Sequence, residues 1–241
     1  MEIAEFEITQ YKNSIQSGLG FSVTLPDILR IQHEPPVPFQ ERVRQEGYPE
    51  FQVDMLEDTG NRIFEFFSKD HDYRIGFQKG LLALIYNGTS IHYENIRTRI
   101  EYMMNTFIDL YSPAYFKGVN LRHQYSIDVS FLRNLDIDLN LCVPTYIFPE
   151  VSTPFSENLY ALSKVSRFTY NGVEIIANYD FFPIETNNRE LYSVSIGCLY
   201  EQDIGDINVI LTKFDELKQT AWNVLHSSIT DYLREAMAEV N

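Results

Sequence analysis

Asp136 and Asp138 are the residues of this chain whose type and spacing come nearest to reactive chemistry. They alternate with Leu135, Ile137, Leu139 and Leu141, a period-two pattern that predicts a strand with both carboxylates on one face. Two carboxylates placed so could share a divalent cation, the arrangement of a metal-dependent nuclease. An antiparallel strand with one solvated face has the same pattern. With no lysine or third carboxylate placed beside the pair, the solvated face is the expected reading. Asp70-His71-Asp72 could also hold a metal, but a charged trio between two apolar runs is the usual composition of an exposed turn.

A second group lies in the long alternating segment from Tyr115 to Val129. His123 interrupts an apolar face made of Val119, Leu121, Tyr125, Ile127 and Val129. A half-buried imidazole there would titrate in the physiological range, although a core histidine hydrogen-bonded to a neighbour is the commoner outcome. Arg122 falls on the opposite face with Asn120, Gln124 and Asp128, where its guanidinium is either solvated or forked onto an anion. Arg122, His123 and Tyr125 are therefore the candidate ligand contacts.

Other reactive patterns are missing from the sequence. The five histidines show no zinc-ligand spacing, and there is no phosphate-binding glycine loop and no G-x-S-x-G elbow. Neither a catalytic constellation nor a cofactor is expected. Cys142 and Cys198 are far apart and have no C-x-x-C partner, which suits reduced, buried thiols of a cytosolic protein. A net charge of −15 repels phosphate backbones and anionic membranes, so direct nucleic-acid binding is not expected. The acidic N-terminus does not read as a secretion signal, and no apolar run approaches a membrane span. A cytoplasmic location follows as an expectation.

The elements that must position these residues read as α+β, with a largely antiparallel sheet packed against helices. Leu19, Phe21, Val23 and Leu25 predict a first strand that continues past Pro26 to Ile31. Pro38 and Gly47 bracket a short helix over Phe39 to Glu46. Three strands follow, Arg62 to Phe67, Tyr73 to Gln78 and Leu81 to Tyr86, joined by natural reverse turns. Asn87-Gly88-Thr89-Ser90 ends these strands and supplies an N-cap hydroxyl for a helix with the stripe Ile96, Ile100, Met103, Phe107 and Leu110.

After the central strand and the Asp136 strand, Asn171-Gly172 predicts a tight hairpin between Val165 to Tyr170 and Val173 to Phe181. Leu191 to Tyr200 is a last strand. From Asp206 the pattern is one long amphipathic C-terminal helix, bent or restarted near His226 to Ser228 by a capping box, Ser228-x-x-Asp231. Trp222, Tyr232 and Leu233 on it are candidate partner contacts. The 241 residues suit a single α+β domain. Its two halves, 1–130 and 131–241, share the trend of strands followed by a helix.

Several segments carry a resemblance. Phe21-Ser22-Val23-Thr24-Leu25-Pro26, Phe39-Gln40-Glu41-Arg42-Val43-Arg44, Val119-Asn120-Leu121-Arg122-His123-Gln124-Tyr125 and Leu225-His226-Ser227-Ser228-Ile229-Thr230-Asp231-Tyr232-Leu233-Arg234 are similar to hallmarks of a sporadically distributed prokaryotic family of about 250 residues with no assigned function. The resemblance implies genes on mobile or defence-type loci, antiphage or toxin–antitoxin. The expected function is a non-enzymatic accessory or regulatory subunit that binds a protein partner, forms a homodimer, or both. Alternatives are a small-ligand or nucleotide sensor with its pocket between sheet and helices, and the nuclease built on Asp136 and Asp138.

Overall fold

A computed structural model describes residues 5, 14–26, 28, 34–55, 61–88, 91–128, 144, 146–148, 162–184 and 189–238. Nine strands and four helices are present among them. The strands are β1 (Ser14–Thr24), β2 (Glu50–Met55), β3 (Arg62–Phe67), β4 (Tyr73–Gln78), β5 (Leu81–Tyr86), β6 (Gly118–Asp128), β7 (Leu162–Tyr170), β8 (Val173–Ile184) and β9 (Arg189–Tyr200). The helices are α1 (Val37–Gln45), α2 (Tyr93–Tyr111), α3 (Ile207–Ser227) and α4 (Asp231–Ala238). The sheet is largely antiparallel and orders β2-β3-β4-β5-β1-β6-β9-β8-β7, so the class is α+β. The chain divides into two compact units that interleave along the sequence. One comprises Gly18–Leu121 and Leu199–Leu217; the other comprises Met1–Ser17, Arg122–Cys198 and Lys218–Asn241.

The unit containing Gly18–Leu121 is held by its phenylalanines. Prolines at the start of α1 remove amide donors that the first turn leaves unpaired anyway, and Gly47 beyond its end has φ +99. This short helix buries Phe39 and Val43. Phe39 packs on Phe66 of β3 at 5.8 Å and on Phe77 of β4 at 5.3 Å between ring centroids. Phe77 reaches Phe107 of α2 at 6.0 Å. Ile96, Ile100, Met103 and Phe107 of the expected stripe are buried in α2, Leu110 is only half-buried, and Met104 and Thr106 are buried as well. The helix begins at Tyr93 with His92 at the cap position and no side-chain cap bond; Thr89 and Ser90, at the end of the segment expected to supply the cap, lie outside the described residues.

In the other unit, Asn171 and Gly172 take φ of +49 and +75 and join β7 to β8 in the two-residue turn that a right-handed twist favours. The register pairs Tyr170 with Val173 and Lys164 with Tyr179. Val173, Ile175, Ala177, Tyr179 and Phe181 are buried at every second position of β8. On β9, Tyr192 through Ile196 are buried without alternation, so this strand is covered on both faces.

The C-terminal region is two helices. The restart lies where the sequence puts it, but the hydroxyls differ from the expected box. Ser228 Oγ donates back to the Val224 carbonyl at 2.6 Å and so closes α3. Thr230 is the residue that caps α4, its Oγ1 accepting from the Leu233 amide at 3.2 Å.

Candidate functional site

The period-two pattern of β6 carries His123 and Tyr125 inward on one side, and the last turns of α3 present Trp222 and His226. These four rings form a continuous aromatic row. Centroid separations are 4.0 Å for His123 and Tyr125, 5.9 Å for Tyr125 and Trp222, and 4.5 Å for Trp222 and His226. His123 has no exposed surface, and burial pulls its pKa down to about 3 because an imidazolium there would lose its hydration. Burial also pulls His226 down, to about 4, with the nearby Arg234 charge acting in the same direction. Both imidazoles are therefore neutral at pH 7.

Arg122, the next residue along β6, is exposed. Its Nε–H donates to Ser195 Oγ of β9 at 3.0 Å, which satisfies that buried hydroxyl. Arg122 and His123 therefore face opposite sides of the strand.

A cavity of about 360 Å³ does lie in the same unit, between the inner face of β7 and the C-terminal end of α3. Lys164, Ser166, Phe168 and Tyr170 of β7 line it together with Tyr179, Tyr146, Ile147, Val224, Ser227 and Ser228. Lys164 is fixed at one wall, with Nζ donating to the carbonyls of Tyr146 at 2.9 Å and Ile147 at 3.0 Å. The Tyr146 hydroxyl donates to the Ser227 carbonyl. Burial raises the pKa of both Tyr146 and Tyr179, so these phenols are neutral at pH 7. The walls are chiefly aromatic and aliphatic, with a few fixed polar groups, which is the composition of small-molecule sites.

The partner-contact residues separate in the structure. Trp222 and Leu233 are core side chains, while Tyr232 retains 39% exposure. Ile229, Leu233 and Met237 are buried, so α4 is packed against the fold through that side. A larger exposed apolar row was missed in the sequence: Phe51, Val53 and Met55 of β2 are 56%, 46% and 64% exposed. Its signal was present in the alternation Glu-Phe-Gln-Val-Asp-Met. Lys164 was missed too, although counting back from the Asn171-Gly172 turn places it opposite Tyr179.

Asp136 and Asp138 lie outside the described residues. Asp70 is occupied within its turn, accepting from Ser68 Oγ at 2.5 Å and from the Asp72 amide at 3.2 Å. The Ser68 bond is the main reason its carboxyl titrates low. Among the described residues, no three His, Cys, Asp or Glu side chains group as metal ligands. No described helix is long and apolar enough to cross a membrane.

These elements define an α+β protein with an aromatic-walled cavity and an exposed edge strand. Comparison with protein families, curated proteins and solved structures finds no match.

Proposed function

We propose that the protein is a non-enzymatic interaction protein, an accessory or regulatory subunit of a bacterial multi-protein system of the antiphage or toxin–antitoxin kind, and that β2 is its docking strand. The observation that carries this is the row Phe51, Val53 and Met55 on β2, one of the two edge strands of the sheet. Phe51 pairs across the ladder with Phe66 and Val53 with Phe64. Cross-strand neighbours share a face, so the row continues the face on which Phe66 packs against Phe39. Core-type side chains thus run out to the edge uncovered.

An edge strand offers unpaired N–H and C=O groups, and proteins usually blunt such edges with lysine, proline or a bulge. Residues 50–55 contain neither lysine nor proline. A partner segment can add as a further strand, drawing affinity from main-chain bonds and specificity from alternate side chains. Glu50 and Asp54, on the other face of β2, favour lysine or arginine opposite them. Covering three half-exposed side chains contributes about 3 kcal/mol, roughly a hundredfold in affinity.

The test is pairwise co-expression with the product of each gene next to this one, followed by measurement of complex mass in solution. Wild type should retain a partner, and Phe51→Ser with Val53→Lys should lose it while keeping the wild-type melting temperature. Retention of every partner by a folded double variant would remove β2 as the docking strand. An uncomplexed wild type beside all neighbours would sink the subunit reading itself.

A further inference from the structure

We propose that the cavity between β7 and the end of α3 binds a small organic anion with an aromatic body. Its charge pattern is the first ground. Of the residues lining the cavity, Lys164 is the one that is charged, in a chain whose net charge is −15. The ammonium gives two hydrogen bonds to the Tyr146 and Ile147 carbonyls. These orient it and leave a third N–H and the full positive charge for another acceptor. Among the described residues, no carboxylate pairs with Lys164.

The second ground is the disposition of the remaining wall. Ser166, Phe168 and Tyr170 follow Lys164 at every second position of β7, so one strand face presents a cation, a hydroxyl, an aromatic ring and a phenol in sequence. Ser166 and Tyr170 hydroxyls form no hydrogen bond among the described residues and are available to an occupant. Phe168, Tyr146, Tyr179, Ile147 and Val224 give flat and aliphatic surfaces to a ring. The Tyr146 hydroxyl bonds the Ser227 carbonyl, and the Tyr179 hydroxyl accepts from Ser228 Oγ. A volume of about 360 Å³ lies at the small end of ligand sites, suiting one fused ring system with a carboxylate or sulfonate, not a polymer. This binding is independent of docking through β2 and stands whether or not that reading holds.

The experiment uses the full chain and two fluorescent probes of equal ring content, 1-anilinonaphthalene-8-sulfonate and the neutral N-phenyl-1-naphthylamine. The sulfonate should bind at one site per chain and about tenfold more tightly than the neutral probe, the scale of a hydrogen bond to a charged group. Lys164→Met should reduce that preference to near unity. Ser166→Trp should abolish binding of both probes by filling the cavity. Near-ultraviolet dichroism confirms that each variant retains native packing, since the sulfonate also lights up loosely packed chains. Equal affinity for the two probes in wild type, or an anion preference that survives Lys164→Met or Ser166→Trp in folded protein, overturns the proposal.

Discussion

Replacing His123 with leucine should remove about 2 kcal/mol of the stability that the protein loses between pH 8 and pH 5. The imidazole has an ordinary pKa of 6.5 and is held at about 3 by burial. The unfolded chain therefore takes up a proton below pH 6.5 that the folded chain refuses. Stability from this residue is complete above pH 6.5 and falls as the pH drops towards the folded value, by about 1.4 kcal/mol per pH unit. At pH 5 that amounts to about 2 kcal/mol, because one and a half units have been crossed. Carboxylates and other histidines also titrate in this window. The informative quantity is therefore the difference between wild type and variant, measured by urea unfolding at pH 8, 6 and 5. Leucine cannot titrate, so its curve should be flatter by that amount whatever its stability at pH 8. Introducing His226→Leu as well should give a non-additive result, since the two imidazoles meet through Tyr125 and Trp222. Parallel pH profiles for wild type and His123→Leu would refute the argument that burial keeps this ring neutral.

Two further substitutions or treatments test the packing around the sheet. Gly118→Ala should destabilise by about 1–3 kcal/mol, because its Cβ would lie 2.5 Å from the Tyr200 carbonyl oxygen and 3.2 Å from Glu201 Cα; an unchanged urea midpoint would show that this contact yields freely. Cys198 is buried and its thiol is pushed up to about 12 by desolvation, so iodoacetamide at pH 8 should leave it unmodified in native protein and label it in urea. Peptide mass mapping reads the outcome at Cys198 separately from Cys142, and full native labelling of Cys198 would contradict its burial.

The fold was legible where local chemistry and periodicity agree. Asn171-Gly172 set the β7–β8 hairpin because few residue pairs adopt two positive φ angles cheaply, and β3, β4 and β5 have the limits their turns dictate. β2 escaped notice because six residues beginning with an acid and following Pro49 look like loop, although Phe51, Val53 and Met55 alternate. Its stability comes from pairing with β3, a tertiary contribution that local propensity does not contain. For His123, the alternation located the apolar face but could not measure its depth. Its depth comes from tertiary packing, in which Tyr125 beside it meets Trp222 from about a hundred residues later in the chain. The cavity was hidden for the same reason, since Lys164 is placed by a hairpin, Tyr146 by a separate segment, and Ser227 by a helix end.

The acidity of the chain bears on which partner the exposed edge can take. Phe51, Val53 and Met55 would attract a second copy as readily as any other apolar strand if hydrophobic area alone decided. Two chains of net charge −15 repel at the distances where edges first meet, and that repulsion acts before short-range contacts form. A segment alternating apolar and basic residues meets the reverse field and gains at Glu50 and Asp54. The charge balance can thus serve as the protection that lysine or proline gives other edge strands, while leaving the main chain of β2 open to a basic partner. Under the proposed docking role of β2, this charge balance disfavours homodimerisation through the strand and favours a heterologous basic strand.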